Sequence, residues 1–139
     1  MADPSQAAIL KSALAIPAID YLKAMRIRTL VRSAFRELYY DIDMLLTPSR
    51  LAPAPRLTEG VGGGEGRAVA GSRGLTDIIP AGNLAGLPAI SLPCGFAGAL
   101  PVGISLVGRP WFENHLIGVA RAFQEKTDWH KKKPPVGVA

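Results

Sequence analysis

Two short apolar runs, Pro88 to Cys94 (PAISLPC) and Val102 to Gly108 (VGISLVG), constrain the fold more than any other feature of the chain. Each has strand length and is bounded by glycine and proline. Neither alternates cleanly between apolar and polar residues, so both are expected in a sheet covered on its two faces. A third run, Asp43 to Pro48 (DMLLTP), stops at a proline, where a ladder donor is lost, and reads as a buried strand. Ahead of it Ile19, Leu22, Met25, Leu30, Phe35 and Leu38 recur mostly at helical steps, while Lys23, Arg26, Arg28, Arg32 and Arg36 fall largely elsewhere. That spacing predicts one amphipathic helix over about residues 18–40, with Pro17 suited to its first turn and Asp20 to the positive end of its dipole. Phe112, Leu116, Val119, Ala120 and Phe123 predict a second helix, with Glu113 in its first turn and Lys126 in its last. The order helix, strand, long loop, strand, strand, helix is an α/β pattern. Two helices are too few to cover both faces of a sheet, so something else must cover the rest.

The 139 residues allow about one domain and no more. Hydrophobic residues make up 48%, enough for an ordinary core, whereas 15 glycines and 12 prolines imply long or specialised loops. These residues concentrate in 49–76, expected as a Pro/Gly-rich loop between a lead at 1–14 and a basic tail at 127–139. Its EGVGGGEG stretch lacks both GxGxxG and GxxxxGK[ST], which makes it a surface loop and not a phosphate cradle. The net charge of +5 is spread over Lys23 to Arg36 and the triplet Lys131, Lys132, Lys133, with little aromatic interleaving. Nucleic acid is therefore not an expected partner. Arg28, Arg32 and Arg36 repeat every four residues, a stripe that could grip phosphates, although a solvated helix face is the favoured reading.

A single cysteine, Cys94, excludes an internal disulfide, and with two histidines no metal site or other cofactor is expected. No apolar run is long enough to span a membrane, and the first residues lack a basic start followed by an apolar stretch, so a cytoplasmic location is expected. Serine catalysis needs a hydroxyl beside a base, often in a GxSxG turn. Ser91 and Ser105 fall in strands without that frame, and Ser72, in GSRG, stands alone on a loop. His115 and His130 have no aspartate at a telling distance, and Asp41, Asp43 and Asp77 belong to different segments. The chain contains no recognisable catalytic set. Gly86 and Pro88 bracket a tight entry into a strand that Pro93 and Gly95 close, holding the loop before Leu84 near the sheet's end, where ligands of α/β proteins gather. Asn83 could fix that loop or touch a substrate.

The segment GNLAGLPAISLPCGF (Gly82 to Phe96), continued by LPVGISLVGRPWFENHLIGVARAFQ (Leu100 to Gln124), closely resembles the end of the amidase signature family of hydrolases. The stretch AIDYLKAMRIRTLVRSAFRELYYDIDMLLTPS (Ala18 to Ser49) is similar to the helix and strand that precede that end. The resemblance covers about residues 15–135. It implies the C-terminal part of one α/β domain with a mixed sheet flanked by helices. Two serines and a lysine cut the amide in this family, without a metal, and all three lie in its N-terminal and central portions. None has a counterpart here, so no catalytic residue is assigned and the chain alone is expected to be inactive. In the branch that supplies ammonia for tRNA-bound substrates, an aspartate before the NLAG segment holds the substrate's amino group, and Asp77 is its nearest match. The chain reads TDIIPAGNLAG, one residue shorter than that branch, and Ala99 replaces the family's glycine before LPVG. These departures favour a general amidase over a component of an amidotransferase. The partners implied are a small amide substrate and a complementing N-terminal chain or self-association. A non-catalytic module that binds a small ligand, or part of an A-type component of a tRNA-dependent amidotransferase, is the alternative.

Overall fold

The computed structural model describes residues 4–54 and 73–133. Its elements are α1 (Pro4–Ala13), α2 (Ala18–Asp41), β1 (Met44–Pro48), α3 (Arg73–Ala85), β2 (Ala89–Ala97), β3 (Leu100–Gly108) and α4 (Glu113–Lys126), followed by a 3₁₀ turn at Trp129–Lys131. The two helices and three strands expected from periodicity are all present. Two further helices are not foreseen by that reading. The lead is helical because Pro4 suits a first turn and Ala7, Ala8, Leu10 and Lys11 are strong helix formers. The approach to the second strand is a helix and not a loop, since Ile78, Gly82 and Ala85 fall at helical steps and the last two are buried. Of the expected 49–76 loop, residues 55–72 lie outside the described residues.

The three strands form one antiparallel sheet in the order β1-β3-β2. Thr47 and Ser91 stand on either side of Ser105, and Leu46 and Ile90 on either side of Leu106. A two-residue turn at Gly98 and Ala99 joins β2 to β3, with the positive φ (64°) on Gly98, so Ala99 is not strained by it. Pro93 sits in an edge strand beside an irregularity of register, where its missing N–H is tolerated.

The core lies between one sheet face and α4. Leu92 and Leu106 from the sheet meet Leu116 and Ala120 from the helix, with Met44, Ile90, Ile104 and Phe123 around them. The expectation of a sheet covered on both faces is met on this face alone among the described helices, because α2 packs against α3 and reaches the sheet near its C-terminal end, at Tyr39. The predicted apolar stripe of α2 exists but is bare. Ile19 is 76% exposed and Leu30 71%, and Tyr39 is the buried residue of that helix.

The turn from β3 to α4 carries one strained residue. The Phe112 N–H donates to the Arg109 carbonyl at 3.2 Å across Pro110 and Trp111, and Trp111 has φ 67°. Proline followed by a positive φ is the type II pattern, whose second central position favours glycine. The Trp111 side chain is 92% exposed, so little packing offsets the strain. Trp111→Gly is expected to raise stability by about 1 kcal/mol, read as a higher urea midpoint at unchanged slope.

Candidate functional site

At the α3–β2 junction a helix end is locked onto a strand. The Leu87 N–H donates to the Gly82 carbonyl at 3.0 Å and the Gly86 N–H to the Asn83 carbonyl at 3.2 Å, while Gly86 takes φ 78°. These are the paired bonds of a Schellman cap, which a residue with a Cβ would make at a cost in strain. Arg28 of α2 donates its Nε to the Leu84 carbonyl at 2.8 Å, satisfying another terminal acceptor and placing positive charge at the negative end of the helix dipole. The tight entry expected at Gly86 and Pro88 is therefore present, reached from a helix.

Both sequence-derived binding candidates lie on that helix. Asp77 is in its first half and Asn83 in its last turn, with the Asn83 side chain exposed. Six residues at about 100° each put them about 120° apart around the axis and about 9 Å along it. The fold thus brings the two positions onto one element but not onto one stripe. Ser72 lies outside the described residues.

The sheet face opposite α4 assembles what sequence reading kept apart. Ser49 Oγ lies 2.8 Å from Ser105 Oγ, which lies 2.8 Å from Ser91 Oγ, and the Ser49 hydroxyl donates to Ser91 Oγ at 3.3 Å. Thr47, directly across from Ser105, is buried, as is Ser105. A Cβ on Gly103 would stand 3.2 Å from Ser49 Oγ and 3.1 Å from the Leu92 carbonyl, so the glycine makes room for the cluster. The signal was the tripeptide Ile-Ser-Leu, which occurs at residues 90–92 and again at 104–106; antiparallel pairing in this register sets the serines side by side. No histidine or lysine bonds to these hydroxyls among the described residues. They form a polar patch on the sheet.

The histidines are engaged elsewhere. His115 stacks on Phe112 with ring centroids 3.6 Å apart, and the Arg109 guanidinium lies 3.9 Å over the same ring. His130 lies in the last 3₁₀ turn. Among the described residues, no three side chains of His, Cys, Asp or Glu gather closely enough to hold a metal ion, and no helix is long and apolar enough to cross a membrane.

A family model described as Amidase matches residues 2–117. The chain belongs to the amidase family. Relatives include the glutamyl-tRNA(Gln) amidotransferase A-subunit of Moorella thermoacetica, 45% identical over 121 residues, which are 86% of this chain and 23% of that protein. The protein of the same name from a Synechococcus strain is 43% identical over 119 residues, 84% of this chain and 22% of its own length. The crystal structure of the corresponding glutamyl-tRNA(Gln) amidotransferase A-subunit from Thermotoga maritima superposes with a TM-score of 0.60 at 26% identity, covering 88% of this chain and 27% of that one. The chain thus spans about a quarter or less of these relatives, as expected for the C-terminal amidase segment read from the sequence.

Tyr39 ties this family helix to the sheet. Its hydroxyl donates to the Val107 carbonyl at 3.0 Å, and burial pushes the phenol up to about 12. The native state holds this proton at pH values where the unfolded chain, near the ordinary 10.0, loses it. Stability is accordingly complete below about pH 10 and falls as pH rises towards about 12. Tyr39→Phe, which cannot ionise, should lose less over that interval while being about 1 kcal/mol less stable at neutral pH, as measured by urea unfolding across the range.

Proposed function

We propose that this chain supplies the C-terminal part of one amidase-type domain that hydrolyses linear amide C–N bonds, with Asp77 and Asn83 of α3 on the substrate side. The observation that carries the reading is the match itself, which takes in 84–86% of this chain and 22–23% of its relatives. In the family the two serines and the lysine belong to portions upstream of the segment matched here, so turnover needs a complementing segment. The bare apolar stripe of α2 supports that need, because exposed apolar surface on this scale marks a docking face. So do β1 and β2, each paired on one side alone within the described sheet. The part played by these residues is then architectural and substrate-facing. α3, capped through Gly86 and Arg28, holds Asp77 and Asn83 at fixed positions relative to the sheet. The exposed Asn83 side chain is free to bond an amide.

A second reading, part of an A-type component of a tRNA-dependent amidotransferase, is favoured by the names of the relatives at 41–45% identity. One experiment separates the possibilities. The purified chain, assayed with an aryl amide and sized by light scattering, should self-associate and hydrolyse nothing. Mixing it with the Moorella thermoacetica relative truncated before the matched segment should form a complex and restore hydrolysis. Restored turnover of glutamine in preference to the aryl amide would select the amidotransferase reading. Turnover by the chain alone, or a compact monomer that the truncated relative does not bind, would overturn the proposal; the latter result would favour a small-ligand-binding module.

A further inference from the structure

The arginine stripe on α2 is divided by the fold. Arg28 is engaged in closing α3 through its 2.8 Å bond to the Leu84 carbonyl. Arg32 and Arg36, one and two turns further along, instead line a cleft of about 490 Å³ between α2, the α3–β2 junction and the β3–α4 turn. Arg109 enters the same cleft from that turn, held by its stacking over Phe112. Three arginines from two distant segments therefore line one concavity together with Ser33 and Tyr40.

Among the described residues no carboxylate lines this cleft. The ion pairs among the described residues are Arg121 with Glu125 and Lys131 with Asp128, both elsewhere. Glu37 and Asp41 on α2, and Glu113 on α4, pair with none of the three arginines. Arg36 donates to Ser33 Oγ at 3.4 Å and Arg109 lies over the Phe112 ring, but like charges around one concavity repel and no described carboxylate offsets them. A ligand of opposite charge would.

We propose that the cleft binds the phosphate group of a small phosphomonoester, with its dianion held by Arg32, Arg36 and Arg109. Guanidinium forks match phosphate oxygens in pairs and stay protonated at every physiological pH. Three positive charges suit a dianionic monoester better than a singly charged carboxylate or phosphodiester. The volume falls within the range of about 300–1,000 Å³ usual for small-molecule sites. A local concavity, as opposed to a long basic groove, also selects a small ligand over a nucleic-acid backbone. This site is independent of the amidase reading.

Calorimetric titration of the chain at constant ionic strength tests it, with methyl phosphate and inorganic phosphate as probes and dimethyl phosphate and acetate as the competing chemistries. Both probes should bind. Arg32→Gln, Arg36→Gln and Arg109→Gln should each weaken binding about tenfold with the circular dichroism spectrum unchanged, and Arg121→Gln, outside the cleft, should leave it unaltered. Dimethyl phosphate binding as tightly as methyl phosphate would overturn the proposal in favour of a nucleic-acid surface. Equal affinity for acetate would overturn it in favour of a carboxylate site. Absence of binding up to about 10 mM of either probe, or an equal loss in Arg121→Gln, would overturn it outright.

Discussion

Everything described in this chain hangs on β3. It is the strand with a neighbour on each side, so the registers of β1 and β2 are both defined by its backbone. Leu106 on one of its faces meets α4, and the Val107 carbonyl receives the Tyr39 hydroxyl that anchors α2. A strand with this many obligations must satisfy two rules at once. Its backbone groups must pair on both edges, and its alternate side chains must suit two different environments. VGISLVG does this by placing Ile104 and Leu106 towards the core and Ser105 towards the hydroxyl cluster.

That division of faces sets the character of the rest. A sheet with apolar residues on both faces can be sealed by helices on each side. Here one face is sealed by α4 and the other carries serines and a threonine, the serines bonded to one another. The hydroxyls satisfy themselves locally, which lets a polar strip lie partly buried without a large desolvation penalty. The apolar surface that would otherwise complete a core is on α2, facing outward. The chain spans under a quarter of its curated relatives, and within the described residues its apolar surface is divided between the sheet face sealed by α4 and the bare stripe of α2.

Charge follows the same logic. The four-residue repeat of arginine on α2 reads from the sequence as a solvated helix face, with a phosphate grip as the lesser meaning. The fold separates them by giving Arg28 a carbonyl partner and by making Arg109, distant in sequence, line the same cleft as Arg32 and Arg36. Arg109 directly follows β3 and opens the Pro110–Trp111 turn that leads the chain into α4.

The elements carried by strong periodicity were legible in the residues: α2 and α4 from their apolar steps, and the three strands from short apolar runs closed by glycine or proline. The family was legible too, because Gly82 to Gln124 joins several such elements in one order. Two helices were not. In α1 the evidence was propensity without an amphipathic stripe, and in α3 Pro80 and Gly82 speak locally for a turn, although packing against α2 and the Gly86 cap favours a helix. Local preference is weak where tertiary contacts can outweigh it by a few tenths of a kcal/mol per residue. The sequence by itself determined which residues could form strands and helices, and the family. The tertiary structure alone decided that Ser49, Ser91 and Ser105 touch, that Asp77 and Asn83 ride on a helix, and that three arginines line one cleft. Such meetings depend on strand register and helix packing, which join residues far apart in the chain and leave no periodic trace in it.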